Sequence, residues 1–575
     1  MAPRSKNPVK SQSKKRRSGG RLEDAPTSLG KDFMRSMPYH IFEFIMFDCL
    51  VGPYHEPARD SRAEEPIFKS PYALQGVRTA RAVCKSWNNF IINDHRYWTV
   101  ICLHTRGSFH IAKRALERAG DEGIHISLSP IQMADRKRVL QNYSSRWNSF
   151  EQGFMFIEKY LSRCISLSLS IAVDLPFSST LPRYLSSESP LLQTLIIKAP
   201  LSELVDYQTM KDARYPFDHT SFQLFAMLFN DCETPVLSEL FIRDALLSNS
   251  WDGFNGLSFS ELEILSVRYS ESFAGEYLGR VGPNTLFATM NTISRASKLR
   301  ILEFDVVDSE THYDLTHLIH HPSLESITLS IPSLWMSSAI SRTTNFTSVT
   351  ELHIRGKIND LSGDTNINSI LEWLANFSQL LTLDITLEQG WNRIHTGVLK
   401  RCTFPRLQKA RLVGHQFILL NIIASFAFPK LKTLSLDLIE PVISEHSQPT
   451  QAPEAPIFNE ILRSCDPFPS LNQLTITSYD HEDGLFDLSL MLRLVPEIEH
   501  LTVPSTWTGL PLLSNLEKGP SASDILCPKL TLLELQSTKG ADGKAESSSR
   551  SLRNLVRIRR AWADEGIKLV PRYAQ

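Results

Sequence analysis

Pro429-Lys430-Leu431-Lys432-Thr433-Leu434-Ser435-Leu436 is the stretch on which the fold turns. Leu434 and Leu436 alternate with Thr433 and Ser435, the period of a strand with one apolar face. Pro429 ahead of it stops any helix from running in. The same frame, L-x-x-L-x-[LIVF], recurs in one register. Its first positions are Leu192, Leu237, Leu262, Leu299, Leu324, Val349, Leu380, Leu407, Leu431, Leu471, Ile498 and Leu530. Successive frames lie 24 to 45 residues apart. Proline stands two residues upstream at 190, 235, 322, 405, 429, 469, 496 and 528, and Ser260, Ser297, Thr347 and Ser378 take that place in the other four. A turn residue before every strand is punctuation that leucine content alone does not produce.

Between frames lie stretches of helical periodicity at Phe222–Phe229, Thr285–Arg295, Tyr313–His320, Ile367–Phe377 and Phe458–Cys465. Strand, loop and helix repeated at this spacing resembles a leucine-rich repeat, in which each unit has an apolar face that only its neighbours can cover. The expected architecture is an α/β solenoid over residues 104–575, with a curved parallel sheet and helices outside. Clear repeats run over 190–537. No Asn or Cys follows the frame at the usual place, so the repeats are irregular and lack an asparagine ladder. Ahead of them, Ile111–Ala119 reads as a helix closed by Gly123, followed by strands at Ile124–Leu128 and Leu161–Leu169. A matching cap is expected over 550–571, with a helix at Leu552–Asp564 and a strand at Ile567–Val570.

A chain of 575 residues with 42% hydrophobic and 21% charged side chains is globular in composition and too long for one ordinary core. Its formal net charge of −1 gives no global field that would recruit nucleic acid or an anionic membrane. Neither is expected as a partner. The longest apolar window, Phe417–Phe428, is interrupted by Asn421 and suits a buried helix, being shorter than the ~18 residues that a bilayer span needs. Eight dispersed cysteines without a C-x-x-C pair fit reduced thiols in the cytoplasm or nucleus. Residues 1–30 begin with a basic tail expected to be disordered, and its run Lys14-Lys15-Arg16-Arg17 fits a nuclear localisation signal.

Residues 31–103 form a separate helical module. Met37-Pro38-Tyr39-His40-Ile41-Phe42 opens an apolar helix with Ser36 as a cap and Pro38 at a preorganised first position. Phe44, Ile45, Phe47 and Leu50 continue it over more than one face, more apolar surface than so small a module hides. A charged, proline-rich insertion occupies 51–72. Helical periodicity resumes at Tyr72, Leu74, Val77, Ala80, Val83 and Cys84 and continues through Trp87, Phe90 and Ile91 to a stop at Asn93-Asp94. Trp98–Leu103 then reads as a strand.

The proline-headed helix, Val83-Cys84-Lys85-Ser86-Trp87 and a following Trp98 together resemble an F-box, especially the fungal kind. The resemblance departs at the 51–72 insertion, where a compact F-box has a short connection. It implies docking onto Skp1 in a cullin–RING ubiquitin ligase through Met37, Pro38, Ile41, Phe42, Ile45, Val83, Cys84 and Trp87. The chain would then be the substrate adaptor of a Skp1–cullin–F-box ligase, carrying an unknown target protein on its repeats. The alternative is a non-catalytic nuclear or cytoplasmic scaffold whose helical cap is only structural.

No phosphate-cradling loop, G-x-S-x-G elbow or H-E-x-x-H helix occurs, so no enzyme and no cofactor is expected. His317, His320 and His321 group at helical spacing, but lack a completing cysteine or carboxylate and fit a helix end better than a zinc site. Asp480-His481-Glu482-Asp483 reads as a solvated turn. Alternation in each strand sends the frame leucines into the core and the intervening side chains onto the open face of the sheet. That face is expected to present Phe241, Arg243, Arg268, Glu303, Asp305, His353, Arg355, Asp384, Arg411 and Asp437 to a polar protein target, with Phe241 its one exposed aromatic.

Overall fold

The computed structural model describes residues 72–83, 85–103, 106–128, 153, 155–170, 189–198, 234–243, 258–268, 295–305, 321–331, 346–357, 373–388, 402–439, 455–478, 488–504, 529–530, 532–536 and 568–569. The frames become strands. In chain order the strands, six of which lie outside the twelve frames, are β1 (Val100–Leu103), β2 (Ile124–Leu128), β3 (Cys164–Ser170), β4 (Thr194–Lys198), β5 (Glu239–Arg243), β6 (Ile264–Arg268), β7 (Ile301–Asp305), β8 (Ser326–Ile331) and β9 (Glu351–Lys357). They continue with β10 (Thr382–Glu388), β11 (Cys402–Thr403), β12 (Lys409–Gly414), β13 (Phe426–Ala427), β14 (Thr433–Leu438), β15 (Gln473–Ser478), β16 (His500–Pro504), β17 (Leu532–Gln536) and β18 (Lys568–Leu569). All but β11 and β13 join one 16-stranded sheet whose spatial order is the sequence order. Every rung is parallel, and the frames align without slippage, Leu434 lying beside Ala410 and Leu474. The result is a leucine-rich-repeat-like solenoid: within the large sheet each strand pairs only with the strands before and after it in that sheet's order. β11 and β13 pair separately as a short second sheet.

Helices cover one face. They are α1 (Tyr72–Val83), α2 (Lys85–Asn93), α3 (Arg106–Ala119), α4 (Gln416–Ser425), α5 (Ala455–Ser464) and α6 (Leu488–Arg493). α3 buries Ala112, Ala115, Leu116 and Ala119, one stripe at helical spacing. α4, largely within the longest apolar window, buries Leu419, Leu420, Ile422 and Ile423. These side chains and the frame residues of the strands form one continuous core. Of the helices expected between frames, Phe458–Cys465 falls on α5 and Ile367–Phe377 is described only from Trp373. The other three lie outside the described residues, apart from Arg295 at the end of Thr285–Arg295. Leu552–Asp564 also lies outside.

The proline ahead of eight of the frames has a specific task. The Leu431 amide donates to the Phe428 carbonyl at 3.3 Å, closing a four-residue turn whose second position is Pro429. The same bond links Leu471 to Phe468, Leu237 to Thr234 and Leu192 to Ser189. Proline presets the backbone angle that this position requires. The residue that opens each turn points inward, which sequence patterning did not single out. Phe259, Phe346, Phe377, Phe404, Phe428 and Phe468 are all buried there. Phe346 stacks on Phe377 at 4.4 Å, and Phe428 stacks on both Phe404 and Phe468 at 5.9 Å. Runs of stacked phenylalanines thus line the turns ahead of the frames, at the opposite end of the strand from the place an asparagine ladder would take.

Two boundaries differ from expectation. α3 ends at Ala119 and turns on Gly120, whose φ of 57° is the left-handed cap conformation that favours glycine; Gly123 is not the stop. At Gly123 a Cβ would lie 2.2 Å from Ile165 Cδ1, so its role is close packing against the next turn. Trp98 is not in the strand. It closes a 3₁₀ turn, His95–Trp98, capped by the Asp94 carboxylate, and its indole N–H donates to the Ile91 carbonyl at 2.8 Å.

Candidate functional site

Parallel register sorts the open face of the sheet into rows that cross the strands. One row reads Ile196, Phe241, Ser266, Glu303, Thr328, His353, Asp384, Arg411, Ser435 and Thr475. The next, two residues on, contains Lys198, Arg243, Arg268, Asp305, Ser330 and Arg355. Side chains in a row sit roughly 5 Å apart and interact along it.

The expected target-binding residues divide into two groups that this register assembles. Glu303 is buried at 4% exposure between two guanidiniums. Arg268 pairs with it directly, and Arg243 lies 3.9 Å away. The Ser266 hydroxyl donates to the same carboxylate, and Arg243 Nη1 donates to the carbonyls of Ile242 and Ser266, both at 3.1 Å. Asp305 is half-buried in the row beside Arg268, its Oδ1 enclosed and without a hydrogen-bond partner among the described residues. Phe241 is not exposed. At 1% exposure it packs with Ile196, flanked by Ile264 and Ile301, and the Arg243 guanidinium lies 5.5 Å from its ring centroid. A large side chain on the open face is covered by its row neighbours, an effect that the alternation of a single strand does not reveal.

The second group lies on β9 to β15. Arg411 Nη2 pairs with Asp437 at 2.7 Å and Nη1 lies 3.7 Å from Asp384, whose other neighbour is His353 at 3.6 Å. The Thr477 hydroxyl also donates to Asp437. Partial burial works against the Arg411 charge, but the bond to Asp437 and the Asp437 and Asp384 charges outweigh it and hold the guanidinium above its ordinary pKa. Arg355 and Arg411 are exposed, and His353, Asp384 and Asp437 half-buried. This half of the face is the more accessible, since the corresponding row on β4 to β7 is closed at Ile196, Phe241, Ser266 and Glu303.

At the helical end, Met37, Pro38, Ile41, Phe42, Ile45 and Cys84 lie outside the described residues, as do Lys14, Lys15, Arg16 and Arg17. Val83, the last residue of α1, is 58% exposed, the most exposed large hydrophobic among the described residues. Trp87 on α2 is half-buried against the core. Trp98 fastens this module to the solenoid, with Arg81 Cζ of α1 5.5 Å and Arg118 Cζ of α3 4.3 Å from its ring centroid.

No cluster of metal-binding side chains occurs among the described residues. His321 shares a ring nitrogen with the Ala296 carbonyl, holding neighbouring turns together. Burial pushes the Cys102 thiol up to about 11, where it is protonated and unreactive at neutral pH. No helix among the described residues is long and apolar enough to cross a membrane.

No family model matches the chain, and no curated protein matches it. Among solved structures, a protein from Bacteroides fragilis aligns over 44% of this chain and 73% of its own at 14% identity, with a TM-score of 0.23. TLR13, solved in complex with a single-stranded RNA, aligns over 65% of this chain and 42% of its own at 14% identity, with a TM-score of 0.26. Likeness at this level carries no argument, and the architecture rests on the strand register itself.

Proposed function

We propose that the chain is a substrate adaptor of a Skp1–cullin–F-box ubiquitin ligase, with the helical module as its dock and the repeats as its target-holding part. The reading rests on the resemblance of residues 33–103 to an F-box. The observation that carries it furthest is Val83. An aliphatic side chain left 58% exposed gains less from folding than a buried one, and it occupies a position that the resemblance assigns to Skp1. The clasp of Arg81 and Arg118 on Trp98 adds a mechanical argument, since an adaptor works by holding its target at a fixed place. Fastened at one end to Skp1, the solenoid would keep a target near the charged conjugating enzyme and raise its effective concentration there. No side chain of the adaptor takes part in the transfer.

Purified full-length chain mixed with Skp1 tests this directly by calorimetry or co-elution. Binding by wild type, lost in Ile41→Asp/Val83→Asp with the circular dichroism unchanged, is the expected outcome. Failure of the wild-type chain to bind Skp1 would sink the proposal and leave the structural-cap scaffold.

A further inference from the structure

The edge of the sheet at which the strands begin has a charge pattern of its own. On the rungs of β7 and β17 its cations are neutralised across neighbouring turns. Lys298 pairs with Glu261 at 2.5 Å, Arg300 with Glu263 at 3.4 Å and Glu325 at 2.8 Å, and Lys529 with Glu497. The turns leading into β12 and β14 break this pattern. They place Arg406, Lys409, Lys430 and Lys432 on adjacent rungs, all four exposed. Among the described residues none of the four has an ion-pair partner, and the equivalent positions on β10 (Gln379, Leu381) and β15 (Ser470, Asn472, Gln473) hold no carboxylate.

We infer that this basic edge of β12 and β14 is an interaction surface for a short acidic peptide segment of a protein partner. The inference rests on the reading of the repeats as the target-holding part. Four like charges on rungs roughly 5 Å apart repel one another, and a run of carboxylates relieves that repulsion. The flanks decide the class of ligand. Glu351 on β9 and Glu499 beside β16 bound the basic edge on either side, Glu497 being held by Lys529. They would repel a long polyanion but leave room for a short extended acidic stretch. Binding of single-stranded nucleic acid relies on exposed rings for stacking, and the aromatics next to these cations, Phe404 and Phe428, are buried at 1% and 3%.

Fluorescence anisotropy on the full-length chain tests the inference, using a labelled peptide of alternating Glu and Ser and the same peptide with Gln for Glu. The expected result is saturable, salt-sensitive binding of the Glu peptide, weakened about tenfold or more in Arg406→Glu/Lys409→Glu/Lys430→Glu/Lys432→Glu and unchanged in Lys298→Gln. All four positions are exposed, so the variant should retain its circular dichroism spectrum, which is checked alongside. Equal binding of the two peptides, an unaffected fourfold variant, or tighter binding of a single-stranded RNA of similar length overturns the inference. The measurement uses no Skp1, so its failure leaves the Skp1 contact standing, and failure to bind Skp1 leaves this result unchanged.

Discussion

Glu239 and Glu303 stand one row apart on the open face and respond differently to it. Burial raises the Glu239 carboxyl above the ordinary carboxylate range, opposed by the hydrogen bond from Thr194 and reinforced by the nearby Glu263 charge. A carboxyl with a raised folded pKa binds its proton more tightly when folded. Its contribution is therefore fully present below the unfolded value and is lost as pH rises through the folded one. Glu239→Gln should accordingly raise the melting temperature at neutral pH, with the gain over wild type shrinking as pH falls toward about 4. Calorimetric scans across that range check the sign. Glu303 instead has two guanidinium neighbours. Removing it in Glu303→Ala leaves the Arg243 side chain, 12% exposed, without its carboxylate, and about 3 kcal/mol of stability should be lost. Arg268→Ala, whose side chain is 41% exposed, should cost about 1 kcal/mol or less in the same urea titration.

The recurring element is the turn that precedes each strand, and its two positions make separable predictions. The outward proline limits the unfolded chain more than it contacts the folded one. Pro429→Ala should therefore cost only about 0.4–1 kcal/mol. The inward phenylalanine packs on both sides. Phe377 lies 4.4 Å from Phe346 and 4.8 Å from Trp373, so Phe377→Ala should cost about 3–5 kcal/mol by denaturant unfolding. The prolines and frame leucines were legible in the sequence because each recurs at a fixed offset. The phenylalanine column was not read, since serine, threonine, alanine and histidine fill its place in Ser189, Thr234, Ala296 and His321. Stacking between rungs compares residues 24 or more positions apart, and no local window contains both.

At the scale of the molecule, a sheet in which each strand touches only its neighbours has an elongated core that can be lost piece by piece. Unfolding should proceed from the ends, with amide exchange slowest over β9, β10, β12 and β14 and faster at β1 and β17. Uniform protection along the sheet, measured by mass spectrometry, would count against this picture. The helical module joins the array at β1, so exchange in α2 should quicken in Trp98→Ala, which removes both the Ile91 hydrogen bond and the surface on which two arginines rest.

Repetition at a fixed register made the parallel solenoid, its strand order and its core readable from the sequence, because periodic apolar positions can be buried in only one way. The make-up of the open face was not readable in the same manner. Alternation placed Phe241, Glu303 and Arg411 on the correct side, but lateral packing buried the first two and left the third exposed. Across the sheet, register alone paired Arg411 with Asp437 and left Arg406, Lys409, Lys430 and Lys432 together without a counter-charge among the described residues. Those outcomes depend on which residues lie beside one another on neighbouring rungs, a relation that exists only once the chain has coiled.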